Sequence, residues 1–314
     1  AGVPKQATYF HLYDVTARAL KSVSPLLRVG GPATAQAAWV PAFLAHCAQD
    51  HVPVDFVSTH VYGNDPPESV LGVAGPVSRR DMVELAVKKV HRQVAASPYP
   101  HLPIIFSEYN ASYKNEPDVT DSAYMGPWLA NTIRQIEGPD GPLVQIMSYW
   151  TFSDVFEEQG VPHTPFYGGF GLIAEDHIPK ASFNAFVLLH QLGKRRLLVA
   201  HAPVLATRRG SGYAVAVWNY APPSGQGPVK RFTLRFAGLG AGYRAFIQIV
   251  DRRHGDPLPV WIAMGSPPYP TRRQVQRLRR AARLGPPRAV ALGPGHTVAL
   301  TLPPEALALV RVTR

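Results

Sequence analysis

The stretch Phe106 to Asp118, FSEYNASYKNEPD, sets two glutamates, Glu108 and Glu116, among aromatic and amide side chains. Paired carboxylates suit the hydrolysis of a glycosidic bond, one acting as acid and the other as nucleophile or base. Glu108 ends an Ile-Ile-Phe run, where a carboxylate must be held by neighbours or perform chemistry, because burying it unpaired is costly. Two further apolar runs end in reactive residues. VDFVSTHVYG supplies His60 and Tyr62, and LVQIMSYWTFSDVFEEQG supplies Trp150, Asp154, Glu157 and Glu158. An aromatic and several carboxylates on one rim suit a sugar, whose ring face stacks on Trp while its hydroxyls bond to acidic side chains. Trp150 alone reads as core; its position close to Glu157 and Glu158 favours a platform.

The elements that must position these residues alternate through residues 8–193. Helical patterns at Thr8 to Val23 (Tyr9, Leu12, Tyr13, Ala17 and Leu20 on one face), Trp39 to Gln49, Arg80 to Ala96, Tyr124 to Ile136 and Ser182 to Leu192 alternate with apolar strands. The strands are a short run at Leu26 to Val29, ended by Gly30-Gly31-Pro32, followed by VDFVSTHVYG, LPIIFSEYN and LVQIMSYWTF. Four strand–helix units with reactive residues just past the strand ends are the pattern of a parallel α/β sheet or barrel. After Gly193 the pattern becomes short, β-rich segments between Gly/Pro turns, expected to form an antiparallel β-sandwich with one basic helix at Thr271 to Leu284. The expected domains are therefore 1–195 and 196–314.

The chain has 314 residues, 46% hydrophobic and 17% charged, which supplies a packed core and argues against disorder. Its longest apolar runs are too short to span a bilayer, so a soluble protein without membrane association is expected; the residues do not give its compartment. The lone cysteine, Cys47, excludes an intrachain disulfide and sits in an apolar helical pattern as a small buried hydrophobe. Residues 1–193 carry 12 Lys+Arg against 18 Asp+Glu, whereas residues 194–314 carry 20 against 3. No nucleic-acid motif accompanies the basic run TRRQVQRLRRAARL, which reads as a solvated amphipathic helix, and no nucleic-acid partner is expected. His163, His177 and His190 lack metal-ligand spacing, Gly30-Gly31-Pro32 lacks the Lys-Ser/Thr of a phosphate loop, and Gly-x-Ser-x-Gly is missing. No cofactor or metal is expected.

FSEYNASY, VDFVSTHVYG, GGPATAQAAWVPAFL, YWTFSDVFEEQGVPHTPFYGGFGLI and VWIAMGSPPYPTRRQVQRLR resemble glycoside hydrolase family 39, the β-xylosidases and α-L-iduronidases. The resemblance covers nearly the whole chain and is closest to the β-xylosidase branch. It implies a (β/α)8 barrel followed by a β-sandwich, and a retaining mechanism with two glutamates. Carried over by position, Glu108 matches the nucleophile at the end of the seventh barrel strand. His60 and Tyr62 match sugar-contacting positions after the sixth, and Trp150, Glu157 and Glu158 glycone-binding positions after the eighth. Tyr113 matches a tyrosine near the nucleophile.

In the family the general acid/base lies in an Asn-Glu-Pro motif after the fourth strand, upstream of the nucleophile. Asn115-Glu116-Pro117 has those letters but lies downstream, so Glu116 reads as a decoy. The helix at Thr8 to Val23 resembles the fourth barrel helix, which implies that the chain holds only the C-terminal half of the barrel and that the acid/base precedes residue 1. Such a half-barrel would expose apolar faces and two sheet edges, and would recruit its missing N-terminal half or another copy. The implied substrate is a β-xyloside or small xylo-oligosaccharide. A uronate would call for Lys or Arg, and the segment from Asp55 to Glu68 contains neither. An α-L-iduronidase-like activity, or an inactive fragment serving as a sugar-binding module, is the alternative.

Overall fold

The computed structural model describes residues 6–136, 143–155, 160, 162, 164–199 and 203–314. Over these residues the chain divides into two compact units, Ala1–Tyr113 with Gln135–Trp150 and Lys114–Arg134 with Thr151–Arg314.

The first unit runs α1 (Gln6–Val23), β1 (Gly30–Thr34), α2 (Val40–Gln49), β2 (Phe56–Tyr62), α3 (Pro67–Leu71), α4 (Met82–Ala95) and β3 (Ile104–Asn110). After α5 (Met125–Ile136), most of which belongs to the second unit, it closes with β4 (Val144–Tyr149). The four strands form one sheet in the order β1-β2-β3-β4, each neighbour parallel. Parallel strands are reached by crossovers, and β2 accordingly reads as a run buried on both faces, from Val57 through Thr59. Helix α4 lines the sheet with Met82, Val83, Ala86, Val87, Val90 and Val94, a stripe at helical spacing, while Glu84 and Lys88 pair on its outer side at 2.6 Å.

Two expectations are corrected. The first strand is Gly30–Thr34, not Leu26 to Val29; Leu26 is 88% exposed. The glycines permit the pairing, because a Cβ on Gly30 would lie 2.3 Å from the Phe56 carbonyl oxygen in the adjacent strand. In α1 the buried stripe is Phe10, Tyr13 and Ala17, and Leu12 and Leu20 face outward. Phe10 and Tyr13 set the helix rotation by packing on Phe43, with ring centroids 6.0 and 4.7 Å away.

The second unit continues β5 (Ile173–Ala174), β6 (Ile178–Pro179), α6 (Ala181–Leu189), β7 (Arg195–Leu197), β8 (Val204–Arg209), β9 (Gly212–Asn219), β10 (Lys230–Arg235) and β11 (Arg244–Val250). It ends with α7 (Leu258–Ala263), α8 (Arg272–Ala281), β12 (Arg288–Val290), β13 (Thr297–Leu302) and β14 (Ala306–Thr313). A six-stranded antiparallel sheet, β12-β11-β14-β9-β8-β7, shares one apolar core with the two-stranded ribbon β10-β13. β9 and β14 are buried along almost their whole lengths at its centre. Two helices interrupt the strands, the expected basic one and a shorter apolar one before it. Helix α7 starts where Asp256 accepts the Leu258 N–H at 3.0 Å, directly after Pro257. Thr271 and Gln274 close a capping box on α8. No helix among the described residues is long and apolar enough to cross a membrane.

Asp256 also accepts the Ala123 N–H at 3.0 Å, and burial pushes its carboxyl up to about 7 despite these bonds and the nearby Arg252. A carboxyl that holds its proton more tightly folded than unfolded adds stability that is complete below about pH 4. That contribution falls as pH rises to about 7, by at most ~1.4 kcal/mol per pH unit for one proton. Asp256→Asn should therefore lose about 1 kcal/mol at acid pH, from one misdirected amide, and fall off less steeply than wild type between pH 4 and 7 in urea titrations. Parallel slopes for the two proteins would contradict this assignment.

Candidate active site

Glu108 reaches its position through an irregularity in β3. Thr59 lies opposite Phe106, but the next residue of β2, His60, lies opposite Glu108, so Ser107 is an extra residue in the ladder. This bulge sets Glu108 level with His60 and turns Ser107 and Glu108 toward the same imidazole. Ser107 Oγ donates to the Thr59 carbonyl at 3.1 Å and stands 2.9 Å from His60 Nδ1. With the hydroxyl proton directed at Thr59, the network assigns the ring proton to Nδ1, which donates to Ser107.

The Tyr62 hydroxyl donates to Glu108 Oε2 at 2.6 Å, the length of a charge-assisted bond. His60 Nε2 stands 3.8 Å from Oε1, beyond hydrogen-bonding distance. Among the described residues Oε1 accepts no hydrogen bond, and the Glu108 side chain is 24% exposed, so a molecule in the rim can reach that oxygen. One carboxylate oxygen is tethered and the other is available.

The tether is itself anchored. Asp65, almost fully buried, accepts the Tyr62 main-chain N–H at 2.7 Å. Burial is the main cause that pushes its carboxyl up to about 6. Asn64 donates to Ser112 Oγ at 2.9 Å and accepts the Tyr113 N–H at 3.0 Å, which ties the loop after β2 to the loop after β3. Gly63 permits this approach, since a Cβ there would lie 2.8 Å from the Ala111 carbonyl oxygen. Tyr113, 40% exposed, meets Tyr62 edge to face at 6.2 Å. Asn110, fully buried, donates to the Trp150 carbonyl at 2.6 Å and accepts the Ala111 N–H, while Trp150 N–H donates to the Tyr109 carbonyl at 3.1 Å. The residue after Glu108 and the one after that thus hold the main chain of Trp150.

The structure brings together His60, Tyr62, Glu108 and Tyr113, and anchors the backbone of half-buried Trp150 to the neighbours of Glu108. Glu157 and Glu158 lie outside the described residues. Glu116 heads a single π turn, Pro117–Asp121, and its carbonyl accepts the N–H groups of Val119 and Thr120 at 2.9 and 3.0 Å. Sequence reasoning missed the roles of Asp65, Asn64 and Ser107, each of which bonds to a main-chain group that only the fold brings to it.

It also placed Asp154 among the rim carboxylates, whereas the structure buries it in a cluster of the second unit. Lys180 Nζ, Asp121 and Asp154 are wholly buried; Nζ lies 2.6 Å from Asp121 and 3.0 Å from Asp154, and donates to the Gly169 carbonyl at 2.8 Å. Asp154 also accepts the Gly171 N–H and Asp121 the Gly168 N–H, both at 2.6 Å, so the Gly168–Gly171 turn is pinned by charged groups. Side chains of metal-ligand type converge at Asp14, His46 and Asp50. Both His46 nitrogens are taken there, by Asp14 at 2.8 Å and Asp50 at 3.1 Å, and the ring stacks on Phe10, which makes the cluster a clasp between α1 and α2.

The sequence matches the model of glycosyl hydrolases family 39 over residues 3–291. It is 40% identical to a β-xylosidase from Geobacillus stearothermophilus, over 87% of this chain and 55% of the relative. It is 34% identical to a β-xylosidase from Caldicellulosiruptor saccharolyticus, over 88% and 57%. The fold is similar to that of a GH39 β-xylosidase from Caulobacter crescentus, with a TM-score of 0.82 and 36% identity over 99% of this chain and 62% of that one. The chain spans little more than half the length of the curated relatives it matches.

The cluster around Lys180 makes a direct prediction. Lys180→Met leaves two buried carboxylates facing each other without a cation and should destabilise the protein by about 3–5 kcal/mol, read from urea or thermal unfolding. A loss below about 1 kcal/mol would mean that solvent reaches the cluster.

Proposed function

The chain belongs to glycosyl hydrolases family 39, and from that premise we propose that it carries the nucleophile half of a retaining β-xylosidase, with Glu108 as the attacking group. The observation that carries this reading is the division of labour within the Glu108 carboxylate, Oε2 held by Tyr62 and Oε1 unbonded. In the first step Oε1 attacks the anomeric carbon, the bond to the leaving oxygen breaks, and a glycosyl ester forms on Glu108. In the second step water attacks the same carbon and releases the carboxylate. Tyr62 stays on Oε2 throughout and orients the attacking oxygen, with Asp65 holding its main chain. Trp150 and Tyr113 offer ring faces for the sugar, and Glu157 and Glu158 are assigned to its hydroxyls.

The reaction requires a second carboxylic acid about 5–5.5 Å from Glu108 to protonate the leaving oxygen and then activate water. We assign it to a glutamate preceding residue 1. The same reading takes β1 to β4 as the last four strands of a (β/α)8 barrel. Among the described residues the outer edges of β1 and β4 pair with no further strand of this sheet, and these edges with the half-exposed Ile146 support closure by further strands. For the substrate, the segment Asp55 to Glu68 offers no Lys or Arg to a uronate, which favours a neutral pentoside, as do the two relatives named β-xylosidase. Residues 196–314 are assigned to a β-sandwich domain.

The test is the kinetics of two variants on an aryl β-xyloside, made in the protein that contains the complete barrel. Glu108→Gln should lower kcat/KM by on the order of 10⁴ or more. Tyr62→Phe should lower it by roughly 10–100-fold, the worth of one hydrogen bond to a charged group. Near-normal turnover by Glu108→Gln would refute the assignment.

A further inference from the structure

The segment 194–314 contains three carboxylate side chains, Asp251, Asp256 and Glu305, and all three are buried, at 5%, 3% and 1% exposure. The 20 Lys and Arg of that segment therefore meet solvent with no side-chain carboxylate of the segment exposed beside them. The charge is densest on α8. Its buried side is Val275 and Leu278, continued by Ala282, and its solvent side presents Arg272, Arg273, Arg277, Arg279 and Arg280, followed by exposed Arg283. Arg279 bonds to the main-chain carbonyl of Asp176. Among the described residues, Arg272, Arg273, Arg277, Arg280 and Arg283 have no carboxylate partner.

Helix stability does not account for this pattern. Arg272 and Arg273 stand in the first turn, where the helix dipole disfavours cations and no acidic residue offsets them. Arg273 and Arg277 are four residues apart, as are Arg279 and Arg283, spacings at which like charges repel. Solubility requires net charge but not its concentration on one ten-residue helix. All of these cations are arginines, whose planar fork takes a carboxylate through two parallel hydrogen bonds. Tyr269, 75% exposed two residues before the Thr271 cap, adds a ring face beside them.

We propose that α8 and Tyr269 form an accessory binding surface for an acidic polysaccharide, with the arginines pairing to uronate side groups of the polymer and Tyr269 stacking on a backbone sugar. The choice of polysaccharide over other polyanions rests on the glycosidase reading above and on the lack of any nucleic-acid motif in this segment. The site assigned to Glu108 and the cationic helix then divide one task, the first cutting unsubstituted pentoside units and the second holding the decorated chain. None of the residues of this surface is among the groups that hold Glu108, so its loss leaves small substrates unaffected.

The experiment is affinity electrophoresis of the full-length protein in gels containing glucuronoxylan, the same polymer with its carboxyl groups reduced to alcohols, or neither. Glucuronoxylan should retard the protein, retardation should weaken steeply with salt, and the reduced polymer should retard it on the order of 10-fold less. A variant with Arg272→Gln, Arg273→Gln, Arg277→Gln and Arg280→Gln should lose the retardation and hydrolyse an aryl β-xyloside at the wild-type rate. The reduced-polymer arm needs no variant and so remains decisive if the quadruple change impairs folding. Equal retardation by both polymers, or tighter binding to duplex DNA or to anionic phosphatidylserine vesicles at the same salt, would overturn the proposal. Retardation without aryl-xyloside hydrolysis would leave this surface standing and remove the catalytic reading instead.

Discussion

Side chains alternate across a strand, so a one-residue change of register exchanges the two faces of everything that follows it. In β3 that change is made by Ser107. In a regular ladder Ser107 would pair with His60 and Val61 would stand opposite Glu108, which would turn the carboxylate to the face opposite His60 and Tyr62. With the extra residue, Glu108 stands level with His60 and within reach of the Tyr62 hydroxyl, while Tyr109, 3% exposed, takes the buried side. The serine also bridges His60 to the Thr59 carbonyl, so the residue that breaks the ladder replaces part of the bonding it removes.

Around this irregularity three polar side chains hold the backbone of the residues that face the rim. Asp65 holds the main chain of Tyr62, Asn64 the main chain of Tyr113, and Asn110 the main chain of Trp150. These groups sit in or near the core, where an unmade bond is costly, so each loop after a strand has few alternative conformations. Rim side chains whose main chain is held in this way keep their geometry. The Gly168–Gly171 turn of the second unit follows the same logic with charges, through Lys180, Asp121 and Asp154.

Much of this arrangement was legible in the residues. The Ile-Ile-Phe run ending in Ser-Glu-Tyr-Asn marks a buried strand with a reactive end, and the Val/Ala/Met stripe of α4 marks the helix that covers the sheet. What escaped had no local signal. Gly30-Gly31-Pro32 looks like a turn, yet it pairs with β2 as a strand, and the Phe56 carbonyl there leaves room at Gly30 only for a residue without Cβ. The bulge at Ser107 is a relation between two strands, invisible in either alone. Lys180 sits among ordinary residues, 26 positions from Asp154 and 59 from Asp121, and its role exists only after folding. Asn115-Glu116-Pro117 is the converse case, a familiar motif set aside on its position in the chain, whose main chain serves a turn.

The central claim is chemical: Oε1 of Glu108 forms a covalent bond to the anomeric carbon of a pentose. The most direct measurement is to trap that bond in the full-length protein with a 2-deoxy-2-fluoro-β-xyloside bearing a good leaving group, and to map the modified residue by peptide mass spectrometry. The account predicts one fluoroxylosyl group per chain, on the peptide containing Phe106 to Tyr113 and carried by Glu108. A stable label on any other side chain would contradict it.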